Sequence, residues 1–249
     1  MNSLDKITFV LIVKNAEISL QDTLEAIKNC PNILVYDNGS QDNTQAIVLQ
    51  YPKICFYQGT FEGFGPTRNK AAKMAKTPWV FHLDADEVPS KKLLEELTNL
   101  KLDSNCVYSI LRDNYFWNKA MKGCSGWSSD IVTRLYPQDK TSYSQDLVHE
   151  KVLSKGFGVI KLTGTLKHTP YPSLSSMMEK MEHYSTLFCK NTKKKAHALS
   201  PFTHGIWAFI KSYIFKKGIF QGYRGYILSK YIADTAFYKY LKLYEFTKK

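Results

Sequence analysis

The sequence predicts an α/β protein in which a mostly parallel sheet is followed by a C-terminal helical region. Two observations carry that expectation. Over the first hundred residues, short apolar β-branched runs alternate with stretches whose apolar residues recur every three or four positions. Short connections between such runs imply right-handed crossovers and therefore parallel strands. The last sixty residues lose the alternation and carry Trp, Phe and Tyr at helical spacing instead.

Taken in order, residues 8–13 (Thr-Phe-Val-Leu-Ile-Val) form a continuous apolar run, the pattern of a strand covered on both faces. Ser19 is placed to cap a helix with Leu20, Leu24 and Ile27 on one side, ended near Pro31. A second strand over 32–36 leads into the turn residues Asp37-Asn38-Gly39-Ser40, and a helix starts near Asp42 or Asn43 and runs to Gln50. A third strand (54–57), a helix (66–76) and a fourth strand (79–83) follow, the last ending on Asp84-Ala85-Asp86-Glu87. Ser90 caps one more helix through Leu100. From about residue 103 the pattern changes. Strands over 106–111 and 132–136 enclose an irregular stretch at 114–130, a short β region covers 148–166, and a helix spans 173–191. Residues 201–249 read as two or three helices. The expected division is residues 1–190, with halves 1–102 and 103–190, and a basic aromatic region at 191–249.

The charge divides along the same line. Residues 190–249 hold 13 Lys and Arg against only Asp234 and Glu245, so +11 of the formal +12 lies there; residues 1–189 hold 21 basic and 20 acidic side chains. With 44% apolar residues, 13 Gly and 9 Pro, disorder and fibrous structure are excluded. Cys30, Cys55, Cys106, Cys124 and Cys189 show neither C-x-x-C nor Cys/His spacing, so reduced thiols in a cytosolic setting are expected. The first apolar run is too short for a secretory signal. Nowhere do about twenty apolar residues run together, as a spanning helix requires.

In open α/β sheets ligands bind beyond the carboxyl ends of the strands. Lys14, Asn15, Glu17, Asp37, Asn38, Asp84 and Asp86 should therefore converge on one edge. Asp84 and Asp86, one residue apart at a strand end, can both reach a hard cation such as Mg²⁺ or Mn²⁺ through oxygen; the alternative is two solvated loop acids that cap the next helix. Asp37 can accept hydrogen bonds from a ribose or base, or can close a local Asx-turn. The stretch Gly63-Phe64-Gly65-Pro66-Thr67-Arg68-Asn69 can offer backbone N–H groups and a guanidinium to an anionic nucleotide, or is a surface loop with a solvated Arg.

Taken together, Val10-Leu-Ile-Val-Lys-Asn-Ala-Glu17, Val35-Tyr-Asp-Asn-Gly-Ser-Gln-Asp-Asn-Thr44, Gly63-Phe-Gly-Pro-Thr-Arg-Asn69 and Trp79-Val-Phe-His-Leu-Asp-Ala-Asp-Glu87 resemble family 2 glycosyltransferases. Within these the chain is similar to bacterial enzymes that add glucose to the inner core of lipopolysaccharide or lipooligosaccharide. The resemblance continues through Gly126-Trp127, Arg134-Leu-Tyr136, Val148-His-Glu150 and the stretch 207–222. It implies a GT-A fold with a Rossmann-like sheet, a UDP-sugar donor, UDP-glucose foremost, and inverting transfer assisted by Mg²⁺ or Mn²⁺. It places Asp37 and Arg68 against the uridine with Lys14 and Glu17 nearby, and Asp84 and Asp86 at the donor ribose and the metal. It makes Glu150 the general base, with Asp130 second; His149 is expected to bond the acceptor, to orient Glu150, or to serve a structural role alone. Direct displacement needs one carboxylate to take the acceptor hydroxyl proton and a cation to steady the leaving diphosphate. The implied acceptor is a lipid-linked saccharide, foremost an inner-core heptose; the alternative is another UDP-sugar passed to a polyprenyl-linked or capsular glycan.

The tail interleaves fourteen aromatic residues between 202 and 246 with lysines. That pattern fits helices lying in a membrane interface, where an anionic inner leaflet attracts each nearby Lys or Arg by about 1 kcal/mol. At least half of these aromatics are expected to pack in a core. A nucleic-acid partner is not expected, because no aromatic RNP-type strand, zinc finger or separate helix-turn-helix is present. The expected location is peripheral, on the inner face of the cytoplasmic membrane.

Overall fold

A computed structural model describes residues 2–146, 150–171, 173–192 and 194–248. They form two compact units: Met1–Asp113 with Asp130–Thr169, and Asn114–Ser129 with Pro170–Lys249.

The first unit is built on a sheet of strands β1 (Ile7–Val13), β2 (Ile33–Asp37), β3 (Ile54–Gln58), β4 (Trp79–Asp84), β5 (Glu87–Pro89), β6 (Cys106–Phe116, whose last residues belong to the second unit), β8 (Asp130–Pro137) and β9 (Gly158–His168), in the order β3-β2-β1-β4-β8-β6-β9-β5. The short β7 (Lys119–Ala120), in the second unit, pairs with the end of β6. Strands β3, β2, β1 and β4 are parallel, as the alternation predicts, whereas β8 runs antiparallel to both β4 and β6. The helices of this unit are α1 (Leu20–Ile27), α2 (Thr44–Val48), α3 (Phe64–Ala72) and α4 (Lys91–Asn99).

Every residue of β1 is buried because both faces of the sheet are covered. Phe9, Leu11 and Val13 join Leu20, Leu24 and Ile27 of α1 and Leu93 and Leu97 of α4. Val10 and Ile12 point the other way, to Leu34, Tyr36, Tyr136, Tyr143 and Ala71 and Ala72 of α3. Each such aliphatic side chain contributes about 1.5–3 kcal/mol by burial, and Leu11→Ala would cost about 2–5 kcal/mol. Ser90 caps α4, its Oγ accepting from Leu93 N at 3.2 Å. Strand β5 is new relative to the sequence reading; at three residues it is too short for a period-two signal, and β9 holds it by pairing Glu87 with His168 and Pro89 with Leu166. The expected β region at 148–166 starts later, at Gly158; its positions Val148 and His149 lie outside the described residues.

The second unit contains α5 (Leu174–Asn191), α6 (Ser200–Ile210), a π-helical turn (Lys211–Phe215), a 3-10 turn (Gly218–Gln221) and α7 (Gly222–Lys248). Its core gathers Phe116, Met121, Cys124, Trp127, Met177 and Leu228. The chain crosses between the units at 113/114, 129/130 and, for the last time, 169/170, whereas the composition suggested a single division near 190. Helix α5 belongs with α7: Met177 and Leu228 share that core, Tyr231 donates to Met177 O at 2.9 Å, and Lys242 pairs with Glu182 at 2.7 Å. The five cysteines are free. The tail aromatics depart from expectation, since none of the fourteen is buried and eight are exposed. Small residues at the helix contacts, including Gly205, Ser212, Gly218, Gly225 and Ser229, are buried in their place. Among the described residues no helix is long and apolar enough to cross a membrane.

Candidate functional site

The parallel register brings the strand ends together. Asp37 pairs with Val13, and Asp84 pairs with Ile12, so β2 and β4 end on either side of β1. Two strand spacings put the Asp37 and Asp84 backbones about 10 Å apart on the carboxyl edge. Lys14, exposed, follows β1 between them. Asp37 is buried and its Oδ1 accepts from Gly39 N at 3.0 Å and Ser40 N at 2.8 Å, the Asx-turn weighed above. Gly39 takes φ 98°, a left-handed value that suits glycine. The two loops are laced: Asn15 N donates to Ser40 Oγ at 2.9 Å, and Glu17 Oε2 accepts from Asn43 N at 3.0 Å and Asn43 Nδ2 at 2.9 Å. Lys14, Glu17 and Asp37 therefore share one edge.

Arg68 reaches this edge from α3. Gly65 lets the 143–146 segment lie against the helix, because a Cβ there would sit 2.0 Å from Ser144 O. Gly65 N donates to Asp146 O at 3.1 Å, and the Asn69 side chain both donates to and accepts from the Tyr143 backbone at 2.9 Å. The Arg68 guanidinium lies 5.2 Å from the centre of the Tyr143 ring. Tyr143 bridges Val152 and Ser144 N donates to Lys151 O at 2.8 Å, which returns the chain so that Glu150 meets Arg68.

From there a chain of alternating charges runs through the unit. Glu150 Oε1 accepts from Arg68 Nε at 2.9 Å, and Arg68 Nη2 donates to Asp84 Oδ1. Asp84 Oδ2 accepts from Arg134 Nη2 at 2.7 Å, and Arg134 also donates to Glu87. Glu87, fully buried, accepts from Arg112 Nη1 at 3.0 Å and from Asp84 N at 3.2 Å. Arg112 then grips both oxygens of Asp130 at 3.0 and 2.7 Å. Buried ions cost several kcal/mol each unless they are paired, and here every guanidinium sits between two carboxylates. Burial opposes ionisation of Asp84, but Arg134 and Arg68 outweigh it and hold the carboxyl well below its usual range. Burial likewise opposes the charge on Arg68, and Asp84 overrides it. His82, buried with Nε2 3.2 Å from Tyr136 Oη, is pushed far down by burial and by Arg68 and Arg134, so it is neutral.

These positions refine the expected roles. Asp84 is neither a solvated loop acid nor a cap: two arginines take its oxygens, and Ser90 is the cap. Asp86 is a quarter exposed, with Oδ2 3.5 Å from His168 Nε2. Among the described residues no cluster of three His, Cys, Asp or Glu could cage a metal. Mg²⁺ commonly binds through one or two carboxylates plus substrate phosphates, and Asp86 fits that mode, whereas both Asp84 oxygens are already bonded to guanidinium groups. Asp130 has both oxygens bonded to Arg112 and is 45% exposed; Glu150, 13% exposed, uses one oxygen for Arg68, and its other oxygen accepts no bond among the described residues. His149 lies outside the described residues. Sequence reasoning gave no role to Glu87, Arg112 or Arg134. The available signal was an arginine within or just after an apolar strand run, which is rarely buried without a carboxylate partner.

The model of the Glycosyl transferase family 2 matches residues 8–146. The lipopolysaccharide core biosynthesis glycosyltransferase LpsC of Rhizobium meliloti (strain 1021) is 27% identical over 252 residues, covering 94% of this chain and 90% of its own. The uncharacterized glycosyltransferase RP128 of Rickettsia prowazekii (strain Madrid E) is 25% identical over 260 residues, covering 98% of this chain and 88% of its own. Among solved structures, S. aureus TarS 1-349 in complex with UDP-GlcNAc shares the fold with a TM-score of 0.51 at 12% identity, over 98% of this chain and 91% of that one. The fold is thus the GT-A fold that the resemblance implies.

Proposed function

The chain belongs to glycosyl transferase family 2, and on that premise we propose that it moves a hexose, glucose from UDP-glucose, with inversion onto a lipid-linked bacterial surface saccharide, the inner-core heptose of lipopolysaccharide or lipooligosaccharide. The name of LpsC, a lipopolysaccharide core enzyme, supports the pathway class. The observation that carries the mechanism is a single guanidinium: Arg68 holds Glu150 through Nε and Asp84 through Nη2, tying the base to the strand end where the donor binds.

Glu150, its orientation fixed on one oxygen, takes the acceptor hydroxyl proton on the other as the acceptor oxygen attacks C1. Asp84 stays ionised between its arginines and sets the position of Arg68. Arg68 Nη1 and Arg134 Nε are buried without a partner among the described residues. Asp37, with Lys14 and Glu17 on the same edge, takes the uridine and ribose. Asp86 would hold Mg²⁺ or Mn²⁺, which would supply Lewis-acid stabilisation of the departing diphosphate. The enzyme works at the inner face of the cytoplasmic membrane, where a lipid-borne acceptor is presented.

Donor hydrolysis by the purified protein across UDP-glucose, UDP-galactose and UDP-N-acetylglucosamine with Mn²⁺ tests the donor, with UDP-glucose expected fastest. Asp86→Ala should remove the Mn²⁺ dependence of UDP binding and lower transfer by about a thousandfold. Wild-type UDP affinity that is the same with and without Mn²⁺ would sink the metal assignment.

A further inference from the structure

The second unit displays an apolar turn on a locked frame. From the end of the π-helical turn to the start of α7, Ile214, Phe215, Ile219, Phe220 and Tyr223 are exposed, Phe220 by 79% and Tyr223 by 73%. Lys216 and Lys217 lie among them, Lys217 at a left-handed φ of 59° that turns the chain. The backbone underneath cannot yield. A Cβ on Gly225 would sit 1.9 Å from Gly218 O, and one on Gly218 would lie 2.9 Å from Ser212 O and Ser229 Oγ. Ser212 and Ser229 share a hydrogen bond of 3.0 Å, and Cys124 N donates to Lys216 O at 2.7 Å. Large side chains held outward by so tight a base are displayed, not left over from a loose loop.

The charge around them has one sign. No acidic side chain occurs from residue 183 to 233 or from 114 to 129, while Lys119, Lys122, Lys211 and Arg224 fall within those stretches. A two-fold contact with a second copy would set lysines against the same lysines, which excludes self-association as the purpose of this face. Exposed Phe215, Phe220 and Tyr223 could stack on bases, but Ile214 and Ile219 beside them could not, and these aliphatics favour acyl chains over a nucleic acid. Exposed isoleucine and phenylalanine beside lysine, with Trp207 also exposed, match the boundary between acyl chains and headgroups.

We infer that the 214–223 turn is a preformed insertion tip that seats in an anionic bilayer, with Phe215, Ile219 and Phe220 below the headgroups and Lys216 and Lys217 on lipid phosphates. This deepens the membrane part of the proposed function, resting on the lipid-borne acceptor for its purpose but not for its test. A salt-sensitive lysine contact steers the protein to the surface, and the apolar tip gives a component of binding that salt does not remove.

The test is flotation of the full-length protein with phosphatidylcholine vesicles, with and without phosphatidylglycerol, none carrying an acceptor glycolipid. The paired change Phe215→Ser with Phe220→Ser should weaken binding to anionic vesicles on the order of tenfold or more at low and high salt. Lys216→Glu with Lys217→Glu should weaken it by about tenfold or more at low salt only. Both variants should melt like the wild type and hydrolyse UDP-sugar in solution at the wild-type rate. Unchanged flotation of the phenylalanine variant, or binding of single-stranded RNA that competes equally with anionic vesicles, would overturn the insertion tip. Absence of UDP-sugar hydrolysis by the wild type would instead undo the transfer reading and leave the flotation result standing.

Discussion

The two units use charge in opposite ways. The first holds 18 basic and 18 acidic side chains; the second holds 16 basic and 4 acidic, so the whole formal charge of +12 resides in the second. In the first unit Glu150, Arg68, Asp84, Arg134, Glu87, Arg112 and Asp130 alternate in sign along one bonded chain. In the second, Lys216 and Lys217 stand exposed beside exposed aromatics. Alternation lets ions be buried where chemistry needs a fixed geometry, because each charge is held by its neighbours. A one-signed surface holds nothing in place, and suits a large partner of opposite charge.

The largest stability effect should come from the middle of the alternating chain. Glu87→Gln leaves buried Arg134 and half-buried Arg112 without their shared anion, and should cost about 3–5 kcal/mol, read by urea unfolding. Loss of less than about 1 kcal/mol would mean that the chain is not a cooperative support. An intermediate effect concerns pH. Folded His82 favours its neutral form more strongly than the unfolded chain does, since burial, Arg68 and Arg134 all depress its proton affinity. As pH falls through about 6.5 the unfolded state binds the proton first, so stability is full above that point and declines below it by up to about 1.4 kcal/mol per pH unit. His82→Gln should flatten that slope between neutrality and the carboxylate range. Asp84 has the matching sign lower down: its carboxyl is held below the usual range, so its contribution is present above that range and fades as acid protonates it. The smallest effect should be in the other unit, where Phe215→Ser changes stability by no more than about 0.5 kcal/mol, and a larger loss would show that this side chain supports the fold.

Much of the candidate site was legible in the sequence because it lies at strand ends. The run over β1, the turn after Asp37 and the D-A-D-E stretch after β4 each announce themselves locally, and parallel register then brings Asp37 and Asp84 to one edge. The partners of Asp84 were not legible. Arg134 lies 50 residues further along, and no local period marks which arginine meets which carboxylate. The same limit explains β5, which only pairing with β9 defines. In the tail, helical spacing of aromatics does not distinguish a core stripe from a displayed one. Burial of Gly205, Ser212, Gly218, Gly225 and Ser229 decides it, because small residues let the helices approach and leave the large ones outside.

The central claim is that Glu150, held by Arg68 on one oxygen, removes the acceptor proton with the other. Glu150→Gln keeps an oxygen that can accept from Arg68 Nε but cannot act as a base. UDP affinity by calorimetry and turnover, both with Mn²⁺, should separate in this variant: binding within about twofold of the wild type and kcat lower by about 10²–10⁴-fold. An active Glu150→Gln enzyme alongside an inactive Asp130→Asn enzyme would contradict the claim and move the base to the opposite end of the charge chain.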